Sequence, residues 1–465
     1  MKQIGIIGAG TMGGNLALNF ADNGIGVVIY DRSDDAADAR AAQHERIQSA
    51  HSHTDLVKAL QIPRAILMMV PSGDPVDEQV ETLKPLLDEG DILIDGGNSH
   101  FQDTMRRVDA LQGSGTTFVG MGVSGGADGA RHGPSLMVGG TQSSWKTLKP
   151  LLEPIAATTS GGEPCAKWMG CQGAGHFVKS AHNGIEYSDM QMIAEIYGLL
   201  RYGLDHDTDA VAGIFADWNE TELKSYLVEI TAEILATQDS DTDQPIIDVI
   251  LDTAAQKGTG RWTVIEAQRL AAPLSTIAAA VTARVMSSKR DMRAHGEDTF
   301  GNPRQSVSDG QLTPDDLYSA LMAGKIICYT LGFDLIIAAS KQYDMDVHLP
   351  DVARVWRAGC IIRWTLLDEM VAAFEEDATR CLAFAPAFKG RLQKHLPGLR
   401  RTVAAAALKG HAVPGLSTAL AWFDQLTVAR STADLVQAQR DYFGRHGFKR
   451  RDKDGDHHGP WASDD

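Results

Sequence analysis

Few local patterns leave a polypeptide as little freedom as the one that opens this chain. Residues 3–31 read QIGIIGAGTMGGNLALNFADNGIGVVIYD. A short apolar run meets Gly8, Gly10 and Gly13 in a G-x-G-x-x-G spacing. TMGGNLALNFADNG reads as a helix stopping at Gly24, and GVVIYD as a second strand ending at Asp31. Strand, glycine turn, helix and strand, with an acid about 20 residues on, make up a dinucleotide-binding unit. The glycines allow a tight turn and a close approach of backbone to pyrophosphate. The first amides of the helix, from Thr11, Met12 and Gly13, supply donors and partial positive charge.

The same rhythm continues in AILMMV (65–70), DILIDGGN (91–98) and TTFVGMGVSGG near residue 120, with helical stretches between. Alternation of this kind implies a parallel, doubly wound sheet whose ligands lie at the carboxyl ends of the strands. The loops VPSG, GGNS and VSGG fall there, placing Val70, Asn98 and Ser124 towards cofactor or substrate. Asn and Ser also serve simply as turn formers. Asp31 bears on the choice of cofactor: a carboxylate at this strand end accepts from a ribose 2′-hydroxyl and repels a 2′-phosphate. That favours NAD, whereas Arg32 beside it suits the phosphate of NADP. Asp34 and Asp35 add negative charge, and the balance tilts to NAD.

From about residue 177 the strand rhythm stops. Leu223, Leu227, Ile230 and Ile234 follow a helical spacing, and alanine-rich runs extend to about residue 430. The tail after Phe443 is polar, charged and glycine-punctuated, the composition of a disordered end. The 465 residues suit two or three domains, and 43% hydrophobic with 22% charged residues suits a globular core. A net charge of −17 argues against nucleic acid or an anionic membrane as partner. No apolar run approaches the ~18 residues of a membrane span. Five irregularly spaced cysteines read as free thiols in a reducing compartment, and no metal set is evident.

GHFVKSAHNGIEY (175–187) is the most chemically dense stretch. Lys179, His182, Asn183, Glu186 and Tyr187 lie at offsets of 3, 4, 7 and 8, which puts them on one helix face. Surface hydrogen bonding would give the same spacing, so this pattern alone does not establish catalysis.

GAGTMGGNL, LIDGGNSHF, GVSGGADGARHGPSLMVGG, GAGHFVKSAHNGIEYSDMQ, QKGTGRWT and AQRDYFGRH occur in an order that resembles the 6-phosphogluconate dehydrogenases, over essentially the whole chain. The resemblance implies an α/β Rossmann-type dinucleotide-binding domain (1–176), a large all-α substrate and dimerisation domain (177–430), and a C-terminal tail (431–465) that reaches the partner subunit of a homodimer. It implies oxidative decarboxylation of 6-phosphogluconate to ribulose 5-phosphate with NAD+ or NADP+, without metal, in the cytoplasm. Lys179 would be the general base and Glu186 the general acid. Substrate would be held by Asn98, Ser124, Gly125, Gly126, His182, Asn183, Tyr187, Lys257, Thr259 and Arg284, with Arg440 and His446 from the other subunit. Cofactor would meet Gly8, Gly10, Thr11, Met12, Gly13, Asp31, Arg32, Ser33, Val70 and Asn98. The chain departs from the family in Asp31-Arg32-Ser33 for Asn-Arg-Thr, in Ala36 and Ala37 where a lysine is common, in Pro71 for a lysine, and in Ala127 for a glutamate. A β-hydroxyacid dehydrogenase, or a non-catalytic dinucleotide-binding protein, is the competing expectation; Lys257, Arg284, Arg440 and His446 weigh against the former.

Overall fold

The computed structural model describes residues 2–256, 258–307 and 310–461. Its first part alternates strand and helix: β1 (Gln3–Ile7), α1 (Thr11–Asp22), β2 (Gly26–Tyr30), α2 (Asp34–Ala41), β3 (Ile47–Ala50), α3 (His53–Ala59), β4 (Ala65–Met68), α4 (Asp74–Leu83), β5 (Ile92–Asp95), α5 (Phe101–Ala110), β6 (Thr117–Ser124), α6 (Gly126–His132), β7 (Ser135–Val138), α7 (Gln142–Leu152) and β8 (Ala166–Trp168). They form one eight-stranded sheet in the order β3-β2-β1-β4-β5-β6-β7-β8. AILM of β4 and ILID of β5 are buried at every position, as strands covered on both faces must be. Ser33, Ser52 and Thr141 cap α2, α3 and α7 through their hydroxyls.

The sheet is not parallel throughout. β7 runs antiparallel to β6, pairing Met121 with Val138 and Ser124 with Ser135. Only residues 125–134 separate the two strands, and the seven-residue α6 is too short for a parallel crossover, which takes roughly a dozen residues. The chain therefore reverses.

The rest is helical: α8 (Ala174–Gly198), α9 (Thr208–Trp218), α10 (Tyr226–Ala236), α11 (Ile246–Val249), α12 (Thr259–Arg269), α13 (Ser275–Ser287), α14 (Arg290–Phe300), α15 (Pro314–Gln342), α16 (Leu349–Val355), α17 (Leu367–Glu376), α18 (Pro386–Leu408), α19 (Pro414–Leu426) and α20 (Ala433–Gly444). α8 begins three residues ahead of the expected boundary at 177. The stripe expected from Leu223 to Ile234 is displaced. Leu223 precedes α10, Ile234 is exposed, and the buried face is Leu227, Val228 and Leu235, because this helix packs on α9 through a rotated face.

α15 corrects the expectation that no segment is apolar enough to span a membrane, since its 29 residues pass by length and composition. It is the core helix of the second part, with 89% of its most apolar window buried, packed on α8 and α18. A Thr313–Asp316 capping box and Pro314 set its start. Its Lys325 is neutralised by buried Asp189 of α8.

The described part of the tail, to Trp461, is also ordered, contrary to its composition. α20 leads into a hairpin of β9 (Phe448–Lys449) and β10 (Asp456–His457).

Candidate active site

Glycines bring the two parts together. The first turn of α8 lies directly on β6 and β7. A Cβ at Gly175 would stand 2.2 Å from the Gly120 carbonyl oxygen and 2.6 Å from that of Met137. One at Gly122 would stand 2.4 Å from Lys179 Cβ and 3.0 Å from the Gly175 carbonyl oxygen. Glycine in a strand marks such close backbone approach, and here it sets Lys179 beside the carboxyl end of β6.

Lys179, His182 and Asn183 are buried on that helix. His182 Nδ1 lies 3.4 Å from Lys179 Nζ, 3.0 Å from Asn183 Oδ1 and 3.8 Å from Glu186 Oε2. Its Nε2 lies 3.1 Å from Ser124 Oγ, linking helix to strand end. Asn183 Nδ2 donates to Thr259 Oγ1 at 3.0 Å. Thr263 Oγ1 donates to the Ser180 carbonyl at 2.8 Å, fixing α12 against α8. The Tyr187 ring is held between two neighbours. The Arg284 guanidinium carbon lies 3.5 Å from its centroid, and a Cβ at Gly260 would meet its edge at 2.7 Å.

This cluster perturbs its own ionisations. Burial lowers Lys179 from the ordinary lysine range, with Glu186 and Cys360 pulling it back up. Burial raises Glu186, opposed by the charges of Lys179 and Arg284. His182 is held well below its usual value by burial and then by Lys179, so the imidazole is neutral at neutral pH. A lysine drawn down and a glutamate drawn up, both within 3.8 Å of one ring nitrogen of His182, are placed for proton exchange.

The glycine crease at β1 is shaped for a pyrophosphate. Gly8 has φ 106°, donates to the Tyr30 carbonyl, and a Cβ there would stand 2.6 Å from the Met69 carbonyl oxygen. A Cβ at Gly13 would stand 1.9 Å from the Gly8 carbonyl oxygen. Gly10, the N-cap of α1 ahead of Thr11 and Met12, faces open space, which leaves room for phosphate against the first amides. Asp31 Oδ2 accepts from the Ala9 amide at 2.7 Å and Oδ1 from the Ser33 amide at 3.0 Å. Arg32 is exposed. Arg40 Nε donates to the Ala9 carbonyl at 3.2 Å, so the Ala9 peptide is gripped from both sides.

Asn98 is exposed in a loop braced by Asp95, whose oxygens accept from the Gly97 amide (3.0 Å) and Ser99 Oγ (2.6 Å). Val70 is half-buried, with its carbonyl against Gly97. Gly125 (φ 110°) and Gly126 (φ 63°) turn the chain into α6. Lys257 lies outside the described residues. Arg440 and His446 sit in the tail, where Arg440 donates to Gln437 and His446 rests on Phe443; neither contact involves α8. Gly122, Gly175, Gly260 and Arg40 were not expected at the site. Gly120 and Gly122 inside an otherwise apolar strand were the available signal for the first two. Gly260 and Arg40 act only through neighbours distant in sequence.

Residues 3–170 match the NAD binding domain of 6-phosphogluconate dehydrogenase, and residues 175–461 match the 6-phosphogluconate dehydrogenase C-terminal domain. The decarboxylating 6-phosphogluconate dehydrogenase of Haemophilus influenzae is 45% identical over 97% of this chain and 94% of its own. The NAD(+)-dependent, decarboxylating enzyme of Bacillus subtilis is 43% identical over 99% of both. The solved 6-phosphogluconate dehydrogenase of Plasmodium falciparum, described apo, with its cofactor NADP+ and with its substrate 6-phosphogluconate, superposes with a TM-score of 0.94. It is 36% identical and covers 99% of this chain and 100% of that one. With both halves and nearly every residue accounted for by one set of relatives, the chain belongs to the 6-phosphogluconate dehydrogenase family.

Proposed function

We infer that Lys179 and Glu186 carry, as base and acid, the reaction of this family: oxidation and decarboxylation of 6-phosphogluconate to ribulose 5-phosphate and CO2 with reduction of NAD(P)+. The observation that carries the assignment is the convergence of Lys179 Nζ (3.4 Å) and Glu186 Oε2 (3.8 Å) on His182 Nδ1, with burial pushing the two ionisations in opposite directions. The nicotinamide, when bound, takes hydride from C3 of the sugar acid. Neutral Lys179 removes the C3 hydroxyl proton and, once protonated, stands beside the new carbonyl. That carbonyl is the electron sink for loss of CO2. Lys179 returns its proton to that oxygen as the enediol forms; Glu186 then delivers one to the former C2, which is C1 of the product, while the enediol hydroxyl gives its proton back to Lys179 and the ketone is made. Ser124, His182 and Asn183 orient the sugar chain through their mutual hydrogen bonds. Gly125 and Gly126 leave it space, and Tyr187, Lys257, Thr259 and Arg284 hold the phosphate end. Arginine's planar fork suits phosphate oxygens.

The crease of Gly8, Gly10, Thr11, Met12 and Gly13, with Asp31, Arg32, Ser33, Val70 and Asn98, is the dinucleotide seat. Asp31, with Asp34 and Asp35, favours NAD+ over NADP+. The functional units are residues 1–176, 177–430 and 431–465. The enzyme is a cytoplasmic homodimer, in which Arg440 and His446 of one tail complete the substrate site of the other subunit. Leu435, Val436, Tyr442 and Phe443 are large apolar side chains exposed on α20, which supports burial of the tail against a partner. The test is reduced-nicotinamide absorbance with 6-phosphogluconate and either dinucleotide, for the natural protein and Lys179→Met. Turnover that survives in Lys179→Met removes the role given to Lys179.

A further inference from the structure

α20 carries its residues almost wholly in solvent, and Asp441 alone among them is buried. A buried carboxylate on an otherwise exposed helix needs partners, and among the described residues four contacts to the Asp441 carboxylate stand out. Oδ1 accepts from the Gly447 amide at 2.9 Å and pairs with His458 Nδ1 at 2.7 Å. Oδ2 accepts from the Gly459 amide at 2.8 Å and from Trp461 Nε1 at 3.0 Å. The four partners flank the β9–β10 hairpin, Gly447 just before β9 and His458, Gly459 and Trp461 just after β10. One side chain therefore ties the end of α20 to chain 6, 17, 18 and 20 residues further on. Arg440 precedes this carboxylate directly, and His446 precedes Gly447, whose amide it binds. The turn between them is tight: Arg445 adopts φ 49° and Gly447 φ 68°.

We propose that Asp441 is a positioning residue for the reaction. It folds residues 440–461 into a preformed knob that presents Arg440 and His446 together, so that no ordering of the tail is left to the moment of substrate binding. The proposal rests on the reading that Arg440 and His446 meet the substrate. A carboxylate is required because each oxygen serves two donors. An amide at 441 would turn its NH2 towards one of these pairs and leave at least one backbone N–H there without an acceptor.

The test compares full-length Asp441→Asn, Arg440→Ala and the double variant, reading KM for 6-phosphogluconate, KM for the dinucleotide, kcat and oligomeric state. Asp441→Asn should raise the sugar-phosphate KM about tenfold or more, leave the dinucleotide KM within about twofold, and add clearly less in the Arg440→Ala background, where only His446 is left to position. Non-additivity is the mark of a residue acting through another. Trp461→Phe, which removes one donor, should move the same KM in the same direction by less, and serves if Asp441→Asn fails to fold. An unchanged KM in Arg440→Ala would overturn the underlying reading of the tail. A raised KM in Arg440→Ala with a natural KM in Asp441→Asn, or in Trp461→Phe if that variant stands in, would overturn the role of Asp441 alone. Full additivity in the double variant would do the same.

Discussion

Gly122→Ala isolates the contribution of close backbone approach to catalysis. The new methyl would stand 2.4 Å from Lys179 Cβ, about 1.4 Å inside the ~3.8 Å at which carbon atoms rest. It also meets Lys179 Cγ and the Gly175 carbonyl oxygen at 3.0 Å, so sideways relief is limited. α8 must lift, or Lys179 must swing, by roughly 1 Å. Overpacking of this kind costs about 1–3 kcal/mol of stability, and a 1 Å misplacement of a reacting group can cost about 10²-fold in rate. The matched control is Gly5→Ala in β1, whose methyl would meet Leu60 Cδ1 at 2.8 Å and the Leu56 and Ile66 side chains at 3.3 Å, none of them on α8. Turnover with 6-phosphogluconate and thermal unfolding are measured for both. Both should lose stability by a similar amount, and Gly122→Ala should lose about 10²-fold in kcat beyond its control. Equal kcat losses would show that the seam acts through general stability and would refute the positioning argument.

Asp31→Asn should shift the ratio of kcat/KM for NADP+ over NAD+ upward by about tenfold, or about 1.4 kcal/mol. It removes the charge on which the proposed NAD+ preference rests, and an unchanged ratio would transfer selectivity to other residues. Gly260→Ala drives a methyl into the Tyr187 ring at 2.7 Å, so KM for the sugar phosphate should rise while KM for the dinucleotide holds. A change in both would point to a wider disturbance. Glu195 accepts the Gly415 and Leu416 amides at the start of α19, and burial pushes it up to about 7 from 4.5. The native state therefore binds the extra proton, and this group's contribution falls as pH rises from about 4.5 to 7, by about 3 kcal/mol at most. Chemical denaturation at about pH 5 and about pH 7.5 should show that slope reduced in Glu195→Gln. An undiminished slope would assign it elsewhere.

The dinucleotide unit was legible because its signals are local: a glycine spacing, an apolar strand and an acid at the next strand end. The face of α8 was legible for the same reason, since spacing of 3 and 4 fixes which side chains stack. What escaped was set by contacts across the chain. The reversal at β7 depends on the length of α6, and the true face of α10 on its packing against α9. The order of the tail depends on one carboxylate finding donors up to 20 residues away. Composition registers the charge and glycine of residues 444–461 and misses the hub that organises them. Gly260 and Arg40 are unremarkable in sequence because each matters only for what it touches, Tyr187 and the Ala9 peptide.

The seam between α8 and the sheet has a mechanical consequence. Most helices ride on a sheet through a layer of side chains, which can slide and repack as parts move. Here main chain meets main chain across Gly120, Gly122, Gly139 and Gly175, and nothing compressible lies between. The join is a weld rather than a hinge. The lysine and the strand ends beside it travel as one rigid piece, so the interval across which hydride and proton pass is set when the chain folds.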